Sequence, residues 1–338
     1  MTILKKTKIF FFAALLVAMI LPFSGMDFAN AAPNENANDK AKDNEKKKTH
    51  KEWIDEGYKV LPGGHYVKNT QKGVDKDKSI DENAKNGIDR DILKKDNHGK
   101  TIIDLDKYME KQAKQKSNNK KVKDTTTNFP ADGYNTIIAK SENDAMSYFR
   151  AVWDVPSDPV SYDTGDTIFT FNAIQPFGTS SSVIMQPVLQ YGSNGPCPNS
   201  HEGEFWVYYP FIYASPTAYN IGDCTTVEVG DELKGYVYKS GSTWYVTTYI
   251  NGVYDSSVST GYNGYADFAS IALETYGLPQ NCNSIPGDEE FSSIYIVGDS
   301  VAWSDLSSSG AGQWCGMTTY VENSDTSGSG VIQLNNNN

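Results

Sequence analysis

The part of the chain after residue 127 has very few basic side chains. Residues 128–338 contain four, Lys140, Arg150, Lys234 and Lys239, against 23 Asp and Glu, a net charge of −19. Residues 32–127, in contrast, hold 23 basic and 18 acidic side chains, a net charge of +5. An acidic domain repels the phosphates of nucleic acid, so nucleic acid is excluded as a partner. The charge asymmetry makes the basic segment of the same chain the natural cationic partner of the acidic one.

The sequence also has only one long apolar run. Ile9–Phe23 follows Lys5, Lys6 and Lys8 and precedes Ala29-Asn30-Ala31, the order of a secretory signal peptide with its cleavage site. No later stretch approaches the roughly 20 apolar residues that a membrane helix needs. We predict a signal peptide over residues 1–31, a secreted, extracellular protein and no membrane contact after cleavage. An uncleaved membrane anchor is the alternative.

Cysteine is scarce, and no CxxC metal-binding pattern occurs. The four cysteines, Cys197, Cys224, Cys282 and Cys315, all lie in the acidic region. An even set in an exported protein predicts two disulfides. Proximity along the chain favours Cys197 with Cys224 and Cys282 with Cys315, and the two other pairings stay open.

Histidine is nearly absent from the acidic region, which contains His201 alone. A Ser-His or Cys-His nucleophilic pair would have to use that residue, and neither GxSxG nor HExxH occurs. His201, Glu202 and Glu204 form a loose acidic cluster without helical spacing or a further histidine. We therefore predict no metal and no cofactor, and acid-base chemistry falls to carboxylates.

The basic segment, residues 32–127, is predicted to be a prosegment that is partly helical. Trp53–Val67 has aromatic anchors around the turn Pro62-Gly63-Gly64, which predicts a small docked hairpin. Further on, Ile102, Leu105 and Met109 recur at helical spacing, which predicts an amphipathic helix that needs a partner surface. Polar, lysine-rich residues 117–128 are expected to form the linker and cleavage region. A basic tail that associates with the cell wall is the alternative for this segment.

Residues 128–338 are predicted to form one domain of short strands. Asn251-Gly252 between two apolar runs is a hairpin signal, and only Asn143–Phe149 looks helical. About 200 residues of short strands without helical crossovers predict an all-β, antiparallel sandwich of the concanavalin-like or jelly-roll type. The expected strands are Arg150–Val155, Thr167–Ala173, Val183–Gln190, Phe205–Tyr213, Glu232–Tyr238, Thr243–Asn251, Phe268–Thr275, Phe291–Val297 and Gly316–Val321.

Two of these strands each carry one polar side chain among apolar and aromatic neighbours. Gln190 lies in PVLQYG and Glu274 in ALETYGL. A buried amide or carboxylate costs free energy unless it is hydrogen-bonded, so such exceptions indicate a site. Gln186 competes with Gln190, because two strand periods separate them and they share a face. The alternative is that each side chain points to solvent.

The order of several short motifs resembles the glutamic peptidases of the eqolisin family over about residues 153–297. That resemblance implies secreted acid proteases with a sandwich of two bent antiparallel sheets and a basic prosegment removed at low pH. It implies catalytic roles for Gln190 and Glu274 and an active-site role for Trp206, beside which Tyr208 would line the substrate cleft. Thr275, after the glutamate, departs from the aromatic that the family tends to carry there. The motifs are Val155-Pro156, Leu189-Gln190 with Gly192, Trp206 with Tyr209-Pro210, Val229-Gly230-Asp231 with Leu233, and Glu274.

The leading hypothesis is therefore an acid endopeptidase, monomeric, made as an acid-activated zymogen whose prosegment inhibits it. Its substrates are polypeptides, with Glu274 as general base on water and Gln190 as oxyanion stabiliser. The second hypothesis is a glycoside hydrolase that pairs Glu274 with Glu204 or Asp231. The third is a non-catalytic, carbohydrate-binding sandwich, because tyrosine-rich sheets present aromatic platforms to sugars.

Overall fold

The computed structural model describes most of the chain after the predicted signal peptide. The described residues are 48–118, 133–140, 145–162, 166–176, 183–197, 205–277, 282–298, 301–305 and 314–336. The predicted signal peptide and the cluster at His201, Glu202 and Glu204 lie outside them. Within the described residues no helix is long and apolar enough to cross a membrane.

Over residues 48–118 the basic segment, called the leader below, contains three α-helices, a 3-10 helix at Arg90–Ile92 and four short strands. The helices α1 and α2 each begin with a capping box, Thr49 with Glu52 and Ser79 with Glu82. Strands β1 and β2 pair antiparallel around the Pro62-Gly63-Gly64 turn, which confirms the predicted hairpin. The elements are α1 (His50–Asp55), β1 (Tyr58–Leu61), β2 (His65–Lys68), α2 (Ile80–Lys85), β3 (Leu93–Lys95), β4 (Thr101–Asp104) and α3 (Leu105–Asn118).

The predicted leader helix begins later than its apolar spacing suggests. Helix α3 starts at Leu105, whereas Ile102 lies in strand β4. The β-branched run Thr101-Ile102-Ile103 suits a strand better than a helix. Strand β4 pairs parallel with β14 of the acidic region, with Ile103 opposite Thr260. The strand conformation of Ile102 therefore depends on pairing between distant segments, which local periodicity cannot predict.

The acidic region forms two packed sheets, which confirms the predicted all-β sandwich. The first sheet has the order β10-β9-β8-β7-β15-β5-β17, with β11 added beside β9. The second has the order β18-β19-β16-β6-β12-β13-β14-β4-β3, so the leader supplies its last two strands. The predicted helix over Asn143–Phe149 is wrong at its end, because Tyr148 begins β6.

The strands of the acidic region lie between Gly133 and Asn335. They are β5 (Gly133–Lys140), β6 (Tyr148–Asp154), β7 (Thr167–Gln175), β8 (Ile184–Tyr191), β9 (Trp206–Ser215), β10 (Ala218–Ile221), β11 (Thr225–Val227), β12 (Glu232–Ser240), β13 (Thr243–Ile250), β14 (Val253–Gly261), β15 (Phe268–Tyr276), β16 (Glu289–Val297), β17 (Ala302–Asp305), β18 (Thr318–Asn323) and β19 (Ser327–Asn335). The predicted hairpin at Asn251-Gly252 joins β13 to β14.

The central strands of the first sheet are buried on both faces. Strands β7, β8, β9 and β15 are buried along nearly their whole length. Their inner face packs on the second sheet, where Leu189 and Leu273 join a core that includes Trp153. Their outer face forms a second apolar cluster with Val60 and Leu61 of the leader hairpin. The leader is therefore what covers the outer face of this sheet.

The leader is held to the sandwich at the sheet edge as well as through the hairpin. The hydroxyl of Thr260 donates a hydrogen bond of 2.8 Å to the Ile103 carbonyl. The Asp106 carboxylate accepts from the backbone and side chain of Asn263. Leu105 and Tyr108 are buried in the same core as the sandwich residues. The leader thus contributes to the hydrophobic core itself.

Both disulfides join the cysteine pairs that lie nearest along the chain. Cys197 is bonded to Cys224, and Cys282 to Cys315. This pairing confirms the one favoured by proximity. The first disulfide anchors the loop that follows β8, which is important for the site described below.

Glu289 is a buried carboxyl of the core with one hydrogen bond. Its Oε1 accepts from the Thr170 hydroxyl at 3.0 Å, and its Oε2 has no hydrogen-bond partner among the described residues. Burial raises the pKa of Glu289 to about 8, and the Thr170 hydrogen bond opposes that rise. The folded state therefore binds the proton more tightly than the unfolded chain does between pH 4.5 and 8.

We expect the variant Glu289→Gln to remove part of the pH dependence of stability. Because the folded pKa is raised, the wild-type free energy of unfolding should fall as the pH rises from 5 to 9, by an amount on the order of a few kcal/mol from this residue. Urea unfolding of both proteins at pH 5 and pH 9 measures the difference. Equal losses in wild type and variant would show that Glu289 does not cause the drop.

Candidate active site

Gln190 and Glu274 lie in one row of the first sheet. Strand β7 runs between β8 and β15, and Phe169 on β7 is directly opposite both Gln190 and Glu274. Residues directly opposite in a ladder project to the same face, so both side chains point to the outer face. Two strand spacings put their Cα atoms roughly 10 Å apart. The sheet thus brings together the two residues singled out in the sequence.

The amide of Gln190 is buried and its orientation is fixed. Its Nε2 donates to the Gly192 carbonyl at 2.7 Å, and its Oε1 accepts from the Tyr209 hydroxyl at 3.0 Å. A carbonyl can only accept, so the nitrogen must be the atom that faces Gly192. Each end of the amide keeps hydrogen-bonding capacity, one N–H on Nε2 and one lone pair on Oε1.

The loop after β8 closes tightly over that amide. A Cβ added at Gly195 would lie 2.1 Å from Gln190 Oε1 and 2.5 Å from its Nε2. Any side chain at residue 195 would therefore displace the amide or the loop. Cys197 of this loop is bonded to Cys224, and this disulfide restrains the loop.

The carboxyl of Glu274 is 7% exposed and accepts two hydrogen bonds. The Tyr276 hydroxyl donates to Oε2 at 3.0 Å, and the backbone N–H of Gly63 in the leader turn donates to the same oxygen at 2.8 Å. Burial raises the pKa of Glu274 to about 7, and these two hydrogen bonds oppose the rise. A carboxyl with this pKa exchanges its proton readily, as a general base or acid must.

The leader hairpin covers the dyad. Its turn contacts Glu274 through Gly63, and Val60 N–H donates to the Asn194 carbonyl of the loop over Gln190 at 2.9 Å. Gly63 has a φ of +84°, a conformation that favours glycine and lets the backbone come close to the carboxyl. His65 stacks on the ring of Tyr213 in β9. In this form the leader blocks the face of the sheet on which Gln190 and Glu274 lie.

The pairing register of the strands favours Gln190 over Gln186 as the partner of Glu274. Gln186 is four residues earlier on β8 and pairs with Phe211 of β9. Four residues of strand put it roughly 13 Å from Gln190 along the sheet. Only Gln190 of the two shares a row with Glu274. Gln186 is also buried, and neither polar atom of its side chain has a hydrogen-bond partner among the described residues.

The structure places Trp206 and Tyr208 away from the dyad, which corrects the prediction that they line the cleft. Gln190 is paired with Val207, so the neighbours of Val207 on β9 point to the opposite, inner face. Trp206 donates to an Asp158 carboxylate oxygen at 2.8 Å, and both rings pack in the core between the sheets.

The aromatic side chains on the outer face beside the dyad are Phe169, Tyr209 and Tyr276, which the sequence analysis missed. Tyr276 could have been found, because it lies one strand period after Glu274. Tyr209 and Phe169 could be found only with the register between strands.

Asp231, another candidate carboxylate, does not join this site. Asp231 lies in the turn before β12 of the second sheet, where it accepts from the Glu228 N–H and the Asn251 side chain. Glu204 and His201 lie outside the described residues. In the part of the chain that the structure describes, no group of three His, Cys, Asp or Glu could hold a metal ion.

The sandwich is similar to those of solved glutamic peptidases. Scytalido-glutamic peptidase with a peptide-based transition-state analogue is 13% identical, with 60% of this chain and 97% of that chain covered and a TM-score of 0.40. SCP-B, a member of the eqolisin family in complex with the tripeptide Ala-Ile-His, is 13% identical, with 60% of this chain and 97% of that chain covered and a TM-score of 0.37. A Bacillus licheniformis β-glucanase is 6% identical, with 56% of this chain and 66% of that chain covered and a TM-score of 0.26.

Comparisons with protein-family models and with curated proteins find no match. The likeness to the solved structures concerns the sandwich fold and assigns no residue or reaction to this chain. What the site can do must follow from its own geometry. An ionisable carboxyl and a neutral amide lie on either side of an aromatic residue and project to the same face of the sheet. Such a pair can activate a water through the carboxyl and stabilise negative charge through the amide.

Proposed function

We propose that the protein is a secreted acid endopeptidase that hydrolyses peptide bonds with a Gln190 and Glu274 dyad. One observation carries the proposal: both side chains are directly opposite Phe169 and project to the same face. The proposal requires no metal or cofactor and treats the protein as a monomer.

Glu274 supplies the acid-base chemistry. The ionised carboxylate takes a proton from a water, whose oxygen attacks the carbonyl carbon of the scissile peptide. The same carboxyl then gives the proton to the leaving amine nitrogen as the C–N bond breaks, so the base is regenerated. The Tyr276 hydroxyl on Oε2 leaves Oε1 to meet the water. When the leader leaves and solvent reaches Glu274, its pKa moves back toward the ordinary 4.5, which suits catalysis in acid.

Gln190 stabilises the oxyanion. Its remaining N–H can donate to the oxygen of the attacked carbonyl, where negative charge develops in the transition state. An amide does not titrate, so this donor is present at every pH. Tyr209 and Gly192 hold the amide in one orientation, and such preorganisation is what makes a donor effective.

The leader acts as an intramolecular inhibitor in this proposal. Its hairpin covers the dyad, and its Gly63 N–H occupies Oε2 of the general base. The basic charge of the leader complements the acidic charge of the sandwich, and that attraction weakens as carboxylates are protonated. The chain is thus a zymogen that acid activates.

The experiment that tests this function is a pH shift of the purified full-length exported protein from neutral to about pH 4. We expect loss of about the first hundred residues after the signal, followed by cleavage of a protein substrate such as casein. Mass spectrometry follows the first event and gel electrophoresis the second. An intact mass together with an intact substrate would contradict the proposal, and release of reducing sugar from glycans would replace it with a glycoside hydrolase.

A further inference from the structure

His65 lies at the point where the leader hairpin meets the first sheet. It begins β2 directly after the Pro62-Gly63-Gly64 turn and pairs with Leu61 across the hairpin. Its imidazole is 7% exposed and lies parallel to the ring of Tyr213, with 4.2 Å between centroids and 14° between planes. The ring also folds back toward the turn, because a Cβ on Gly63 would lie 3.5 Å from its Cδ2.

The imidazole packs among apolar side chains, and no carboxylate of the described residues forms an ion pair with it. Val60, Leu61 and Val67 of the hairpin lie in one apolar cluster with Tyr213. Across the turn from His65, the charged group is Glu274, reached through Gly63. Lys59, on the neighbouring strand, has its Nζ over the ring of Tyr219 in β10.

The other titratable groups that face the hairpin are mainly tyrosines, which belong to this apolar cluster. The tyrosines of the sheet that face it are Tyr209, Tyr213, Tyr219 and Tyr276. His50 of α1 contacts Tyr66, whose side chain is on the opposite side of the hairpin. A positive charge on His65 would thus be buried without a counter-ion in contact, which costs free energy.

We propose that protonation of His65 expels the leader hairpin from the first sheet and frees the Glu274 carboxyl. The charged imidazole regains its hydration only when β2 leaves Tyr213, and the Gly63 N–H leaves Glu274 in the same movement because turn and strand are continuous. The proposed function supplies the consequence of this opening, an accessible dyad, but the opening itself does not depend on catalysis.

The direction of the pKa of His65 supports this switch. Burial lowers the pKa to about 4 from its ordinary 6.5. The released hairpin therefore binds the proton more tightly than the docked one, and docking weakens as the pH falls from 6.5 to 4. That pKa difference lowers the equilibrium constant for docking of the hairpin by up to roughly two orders of magnitude.

Glu274 acts in the opposite direction. Its pKa is about 7 in the docked form and moves toward 4.5 when solvent enters, so its protonation between those values strengthens docking. The two shifts are of similar size, so Glu274 offsets most of the His65 effect in the intact chain, and the His65 effect is seen in full only when Glu274 cannot titrate. Removing one group or the other should shift the opening in opposite directions.

The test follows the hairpin itself. Full-length protein with the background change Gln190→Ala, which removes self-cleavage, is studied by hydrogen exchange and mass spectrometry from pH 7 to 3.5, with rates corrected for intrinsic exchange. We expect protection of residues 58–68 to change little in the parent, where the two titrations offset each other. With Glu274→Gln added, protection should fall at least tenfold as the pH drops. Adding His65→Phe to that variant, which keeps the stacked ring but cannot be protonated, should restore the protection.

His98→Phe is the matched control, because His98 is an exposed leader histidine in the turn after β3. Added to the Glu274→Gln protein, it should leave the pH of opening unchanged. If the Glu274→Gln protein does not open in acid, or opens equally when His65→Phe is added, the inference is wrong. His65→Leu serves in place of the phenylalanine variant should that one misfold. Opening without any substrate cleavage by the wild type would overturn the peptidase and leave the switch standing.

Discussion

Replacing Glu274 by glutamine is expected to reduce peptide hydrolysis at pH 4 by roughly three orders of magnitude or more, since one group acts as both base and acid. The substitution is nearly isosteric, and the amide oxygen can still accept from Gly63 and Tyr276. We therefore expect the thermal unfolding of the full-length variant at pH 7, where both proteins keep the leader, to match that of the wild type. Cleavage of a fluorogenic peptide and a thermal scan measure the two quantities.

Glu290→Gln is the matched control for this loss. It changes a glutamate to the same amide on β16, where the side chain is exposed on the second sheet. Its activity should equal that of the wild type. Hydrolysis by Glu274→Gln within tenfold of wild type would show that the reaction uses another base.

Gly195→Ala is expected to lower kcat by about a hundredfold, the effect of losing one oxyanion donor. The added Cβ would lie 2.1 Å from Gln190 Oε1, so the amide must rotate away from Gly192 or the loop must lift. Either movement removes the donor from its place. The restraint of the loop by Cys197 limits how much it can lift. Steady-state kinetics, on protein whose leader loss is verified by mass, give kcat and KM separately.

Ser193→Ala is the control for Gly195→Ala, because it truncates a side chain in the same loop without adding an atom near Gln190. Its kcat should stay within about twofold of wild type. A Gly195→Ala variant with unchanged kcat would show that the Gln190 amide is not used in the rate-limiting step.

The sequence singles out Gln190 and Glu274 because each is a polar exception in an apolar strand, which is a local signal. That they share one row depends on the registers of β8 and β15 with β7, which no local pattern contains. The all-β sandwich was predictable from local signals, since turns and short apolar runs are read within a few residues. The hairpin around Pro62-Gly63-Gly64 belongs to this class too.

The contacts between distant segments could not be predicted. Trp206 is on the inner face because Val207, not Trp206, pairs with Gln190, and a shift of one residue in register would reverse that. Phe169 shares the row of the dyad through two registers that no local pattern contains. Ile102 has helical spacing to Leu105, yet β4 is a strand because β14 offers it an open edge.

The parallel pairing of β4 with β14 also bears on how long a mature protein would last. The leader occupies an edge of the second sheet and part of the core, and the proposed maturation discards it. We expect a chain that has lost this segment to be less stable at equilibrium and to depend more on the barrier to unfolding. Its lifetime in acid would then follow its unfolding rate.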